Sequence, residues 1–227
     1  MSQANVPSEP TSPPPPRLLD PAFEGRETYG EALALAVWAL VFFIDIPIEL
    51  GERRVVDALP SFVGYLLLLV VAENLSGLHR FARSIQVVAV LATLTSAGLF
   101  VLGTAAVDVP DPLLVLMRGA VTVLSVLLVW WLGELLMDTL GYLGEPDLRR
   151  LVHSARVTYY VVQAVLWVGL LPLLFRDVPT DTSRFDLDLG QRLLFEGVNA
   201  VSVIVVMGAM SRARSAIALG PARGDSV

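Results

Sequence analysis

Asp45, Arg118, Glu196 and Asn199 are polar side chains inside or beside long apolar runs. An ionisable group held in hydrocarbon costs several kcal/mol, so each needs a partner or a task. Residue counting places Asp45, Arg118 and Glu196 at a shared depth, roughly 6–9 Å below one surface at about 1.5 Å of helix rise per residue. A guanidinium fork can take two carboxylates at once. The expectation is therefore a buried Arg118 bridging Asp45 and Glu196, with Asn199 and Ser202 extending the polarity along the same helix. One chemical use would be an outward-facing polar pocket or ion path. The other is a clamp that ties three helices, and the clamp is the favoured reading. Pro47 complicates the first of these helices, because it removes one donor and leaves the Phe43 carbonyl without its usual bond. If that helix continued, Asp45, Glu49 and Glu52 would share one face. Gln163, on another run, is placed to hydrogen-bond across helices.

Other chemistries are poorly supplied. The chain has no cysteine and no lysine, and its two histidines, His79 and His153, fall in stretches read as loops. Thiolate metal sites, disulfides and lysine adducts are thereby excluded. No paired histidines stand at zinc-protease spacing, and there is no nucleophile elbow or phosphate loop. Asp177, Asp181, Asp186 and Asp188 read as a solvated acidic loop, too sparse in converging oxygens for a cation. A second polar set, Glu73, Asn74, Glu134, Asp138, His153 and Arg156, reads by default as surface salt bridges of little energetic weight. No catalytic residue, cofactor or metal is expected.

The elements that must carry these residues are six apolar runs, over 32–50, 60–75, 85–107, 112–137, 156–175 and 193–211. About 20 helical residues cross a hydrocarbon core of about 30 Å. The expected fold is all-α, a polytopic membrane bundle of six transmembrane helices over 25–215. Five spans with one re-entrant segment is the alternative, because the second run is the shortest. Residues 1–24 form a Pro-rich tail that cannot bury a core, and 216–227 a short flexible one. A basic start followed by a short apolar stretch and a cleavage site is missing, so the first span is expected to stay in the protein.

Arginine placement gives a sidedness. With the N-terminus inside, ten of the sixteen basic residues lie on inner segments, five on outer ones, and Arg118 within a span. The positive-inside rule then places both termini in the cytoplasm of a multi-pass plasma-membrane protein. Lipid is the expected partner, with nucleic acid excluded by the net charge of −6. A membrane-protein partner or a second copy stays open. Small residues at Ala92, Ser96 and Gly103, and at Ala200 and Gly208, suit close helix packing.

The stretch Asp57-Ala58-Leu59-Pro60-Ser61-Phe62-Val63-Gly64-Tyr65 resembles a block of uncharacterised bacterial multi-spanning membrane proteins. Relatives carry Asp after the proline, where Ser61 stands here. The resemblance covers about thirty residues and implies membership without an activity. Read physically, Pro60 opens a helix, Ser61 can cap it, and Gly64 permits close helix contact. Two functions follow as expectations: a non-enzymatic scaffold or accessory protein within the bilayer, or a small permease with an outward-facing polar pocket.

Overall fold

Among the described residues, many large apolar side chains face outward while several polar ones are buried. Val87, Leu91 and Leu94 on one helix, Leu116 and Val123 on another, and Val201 and Ile204 on a third all face outward. Meanwhile Ser96, Ser125, Thr139, Arg156, Gln163, Asn199 and Ser202 are buried. Water would reverse that arrangement, whereas lipid favours it, because buried polar groups can bond between helices and apolar ones meet acyl chains.

The computed structural model describes residues 25–44, 47–49, 55–57, 59–105, 111–174 and 189–219. They form six helices: α1 (Gly25–Val41), α2 (Ser61–Asn74), α3 (Ala82–Thr104), α4 (Asp111–Leu143), α5 (Pro146–Leu174) and α6 (Leu189–Leu219). A small antiparallel ribbon, β1 (Pro47–Glu49) with β2 (Val55–Asp57), joins α1 to α2, in the register Pro47 to Asp57. Each helix packs on the next, and α6 returns to α1, so the six close into a ring. Residues 1–24 and 220–227, Asp45, Glu52 and the acidic loop Asp177–Asp188 lie outside the described residues.

Among the described residues, three stretches are long and apolar enough to cross a membrane: Ala82–Leu102, Leu116–Gly141 and Glu196–Ile217. These correspond to the third, fourth and sixth apolar runs. The first two runs need correction. The first does not stay helical to residue 50, since α1 stops at Val41. It ends in tight turns, with the amides of Phe42, Phe43 and Ile44 bonding three residues back. Pro47 has no amide donor and disfavours helix at the residue before it, so the chain turns and becomes extended instead. Glu49 is thus on a strand, and the expected helical face shared with Asp45 and Glu52 does not form. The second run is helical over 14 residues only. At 1.5 Å per residue it covers about 21 Å, short of a full hydrocarbon core.

The connection between α4 and α5 is compact. Gly144 has a positive φ of 71°. Around it the Glu145 amide bonds the Leu140 carbonyl and the Gly144 amide the Gly141 carbonyl, the paired pattern that closes a helix end. Pro146 then opens α5. His153, expected in a loop, lies within α5.

Gly64 shows why α1 and α2 can lie together. A Cβ on it would fall 2.6 Å from the Ala39 carbonyl oxygen and 2.9 Å from Phe42 Cβ. Tyr65, the next residue, is buried with its ring 4.8 Å from that of Phe43. Ser61 does not cap its helix, because its hydroxyl bonds the Ser96 hydroxyl on α3 at 2.6 Å. Gly208 also departs from expectation: a Cβ there would meet nothing within 4 Å among the described residues, so its smallness serves no helix contact there.

Since the obstruction at Gly64 is backbone, relief requires moving a whole helix. Gly64→Ala should destabilise the folded protein by about 1–3 kcal/mol. Gly208→Ala should leave it nearly unchanged. Thermal unfolding in mild detergent measures both.

Candidate functional site: two interhelical polar clusters

The first cluster forms where α1 ends. With Pro47 unable to donate, the Phe43 carbonyl needs another partner, and Asn199 Nδ2 donates to it at 3.2 Å. The same carboxamide accepts from Gln163 Nε2 at 2.6 Å. Ser202 donates to the Asn199 carbonyl one turn along α6. One side chain therefore joins the end of α1 to α5 and α6. It does so among apolar neighbours, where an unmet carbonyl would be costly.

Glu196 is half-buried one turn before Asn199. Arg118, expected to be buried, is instead exposed on α4. Depth alone placed it, and depth says nothing about which face of a helix a residue occupies. A long side chain at that level can lie along the apolar surface and carry its charge outward. Asp45 follows Phe43 by two positions but lies outside the described residues. Of the four expected site residues, Asn199 takes part in the bonded cluster just described, with a partner, Gln163, that was recognised only as a possible cross-helix donor.

The second cluster lies near the end of the bundle that carries the α2–α3 and α4–α5 connections, and α4 organises it. Glu134 Oε1 accepts from Arg156 Nη1 at 2.6 Å. Arg156 Nη2 lies 3.3 Å from His153 Nδ1. The guanidinium also sits 4.8 Å from the Trp130 ring centre, and the Trp130 and Tyr160 rings stack at 5.6 Å. One turn along α4 from Glu134, Asp138 Oδ2 accepts from Arg80 at 2.7 Å. Next to it, Thr139 shares a 2.7 Å hydrogen bond with Tyr29 of α1. Tyr159 further links α5 to α4 by donating to Ser125 at 3.2 Å.

The expectation of surface salt bridges is wrong for Arg156, which is only 7% exposed. The sequence signal that could have identified it is Gly133. A Cβ there would meet Arg156 Cδ at 2.9 Å, so the glycine on α4 makes room for the arginine stem of α5. Two buried polar atoms, Arg156 Nε and Tyr160 Oη, have no hydrogen-bond partner among the described residues. A small cavity of about 10 Å³ between α4, α5 and α6, with Gly133, Arg156 and Met210 in its wall, could hold one water at most.

Chemically, among the described residues neither cluster pairs a nucleophile with a base. Among the described residues no three histidines and carboxylates stand together as a metal site. Apart from Arg156 Nε and Tyr160 Oη, the carboxamide, hydroxyl, guanidinium and carboxylate groups described above bond one another or a backbone carbonyl. Their common effect is to cross-link helices.

Two sets of variants test these roles. Asn199→Leu should cost about 1–2 kcal/mol, and a double-mutant cycle with Gln163→Leu should show coupling of about 0.6 kcal/mol or more. Zero coupling in unfolding measurements would contradict the bridge. Glu134→Leu should cost about 3–5 kcal/mol by stranding the Arg156 charge, and Glu134→Leu with Arg156→Met should recover most of that loss.

No protein-family model, no curated protein and no solved structure matches this chain.

Proposed function

We propose that this chain is a six-crossing plasma-membrane protein, both termini cytoplasmic, that acts without catalysis as a scaffold or accessory component within the bilayer. The observation carrying this reading is that the buried polar side chains are used between helices. Asn199 with Gln163 and the Phe43 carbonyl, Arg156 with Glu134, and Tyr29 with Thr139 each link two or more helices. A polar interior spent in this way favours a fixed shape. Presenting a fixed apolar exterior to other membrane components is the task such a shape suits.

The sidedness is supported by Arg80, Arg83, Arg149, Arg150, Arg212 and Arg214, all exposed at the end bearing the α2–α3 and α4–α5 connections. Positive-inside placement makes that end cytoplasmic. Six crossings require α1 and α2 to reach across with about 26 and 21 Å of helix. The ribbon between them would then rest at headgroup depth, with local thinning of the bilayer meeting the remainder. The block from Asp57 to Tyr65 supports kinship with uncharacterised multi-spanning membrane proteins, on resemblance alone.

Reconstitution separates this function from a permease. Vesicles containing the purified chain should be no more permeable to protons, potassium or small carboxylates than empty vesicles. Native mass spectrometry from membranes should show one fixed assembly, with a second copy or another membrane protein. Solute flux that disappears in Glu196→Gln or Arg118→Gln, with folding intact, would overturn the scaffold reading in favour of a carrier.

A further inference from the structure

His79 is a titratable side chain at the edge of the second cluster, facing its Asp138. It sits in the turn between α2 and α3, outside the apolar helices, yet its side chain is only 8% exposed. Its Nδ1 accepts a hydrogen bond from the Phe81 backbone amide at 3.3 Å. An imidazole nitrogen that accepts carries no proton, so the ring is neutral and its proton is on Nε2. That nitrogen faces Asp138 Oδ2 of α4 at 4.0 Å, beyond direct hydrogen-bond range. Asp138 is meanwhile engaged by Arg80 at 2.7 Å. The ring lies tilted against Phe81 with centres 5.2 Å apart, and Phe81 in turn lies tilted against Trp131 of α4, also at 5.2 Å. Gly77, with a φ of 82°, lets the turn bend back to place the ring there.

From this geometry we propose that His79 is a proton-sensitive latch holding the α2–α3 turn against α4. The closed latch needs a neutral ring, because only an unprotonated Nδ1 can accept from Phe81. Protonation puts a hydrogen on Nδ1, breaks that bond and places a charge in a mostly buried site. The charged ring then competes with Arg80 for Asp138. The charged groups acting on it are Asp138 from α4 and Arg80 from its own turn. Burial pushes the imidazole below its ordinary 6.5, Asp138 opposes that, and Arg80 adds to it, with a net lowering. The released ring therefore binds a proton more readily than the latched one. Stability of the latched turn is present at and above the ordinary value, and is lost as pH falls from there towards the lowered one. The state biased by the proton is an open turn with Phe81 drawn away from Trp131.

Hydrogen exchange of the full chain in detergent micelles tests the latch. After correction for intrinsic rates, opening of residues 75–82 should rise several-fold between about pH 7.5 and about pH 5.5. His79→Asn keeps an acceptor for the Phe81 amide and cannot charge, so that rise should disappear. The chain has only two histidines, which makes the imidazole NMR signals assignable with a His153→Gln reference. His79 should show an unprotonated Nδ1 and a midpoint below 6.5, lowered further in Asp138→Asn. The proposal is overturned by exchange that does not respond to pH, by a response that persists in His79→Asn, or by a midpoint above 6.5. Should His79→Asn fail to fold, the wild-type tautomer and midpoint decide alone.

Discussion

The carbonyl of Phe43 has to be satisfied, and the way it is satisfied shapes one side of the molecule. Pro47 cannot complete the helical bond, and a bare carbonyl among apolar neighbours would cost several kcal/mol. Asn199 supplies the donor from 156 residues downstream and is itself oriented by Gln163. Thus a local backbone defect in α1 recruits α6, and α6 recruits α5. The same proline sends the chain into a ribbon and shortens α1, which leaves Gly64 of α2 able to close on Ala39. A sequence-local event has become a tertiary constraint.

At the other end α4 plays the corresponding part. Glu134, Asp138 and Thr139 occupy little more than one turn, yet they reach α5, the α2–α3 turn and α1 in that order. Burying Arg156 with Glu134 recovers only part of the desolvation cost of the two charges, so the pair adds specificity of packing more than stability. Gly133 is the geometric condition for it. The aromatic contacts of Trp130 with Tyr160 and of Phe81 with Trp131 fill the space beside the polar links.

Much of this was legible from residue types alone. The membrane-length helices appear close to where the third, fourth and sixth apolar runs lie, because continuous hydrophobicity over about 20 residues has few other meanings. The open Phe43 carbonyl and the close approach at Gly64 follow from the chemistry of proline and glycine. What could not be read was rotation about a helix axis. Arg118 was expected to face inward and is exposed, whereas Arg156 was assigned to the surface and is buried. In soluble proteins the hydrophobic face of a helix settles such questions, but here both faces are apolar and the pattern carries little directional information. Only a small residue opposite a large one, such as Gly133 before Arg156, breaks that symmetry.

The two belts of polar contact bear on what motions the bundle allows. Tyr29 and Phe43 are 14 residues apart on and just beyond α1, so the belts are separated by about 20 Å along it. α1 is fixed to α4 at one level and to α6 at the other. A carrier that rocks one half of its helices against the other needs an interface that can break in two alternating places. Here any such rocking would have to open a carboxamide–carbonyl bridge at one belt or a buried guanidinium–carboxylate pair at the other. Among the described connections, the α2–α3 turn is tied to α4 more lightly, by an exposed arginine, a tilted ring contact and a histidine. Conformational response in this protein is therefore expected at its loop end, while the helices keep their places.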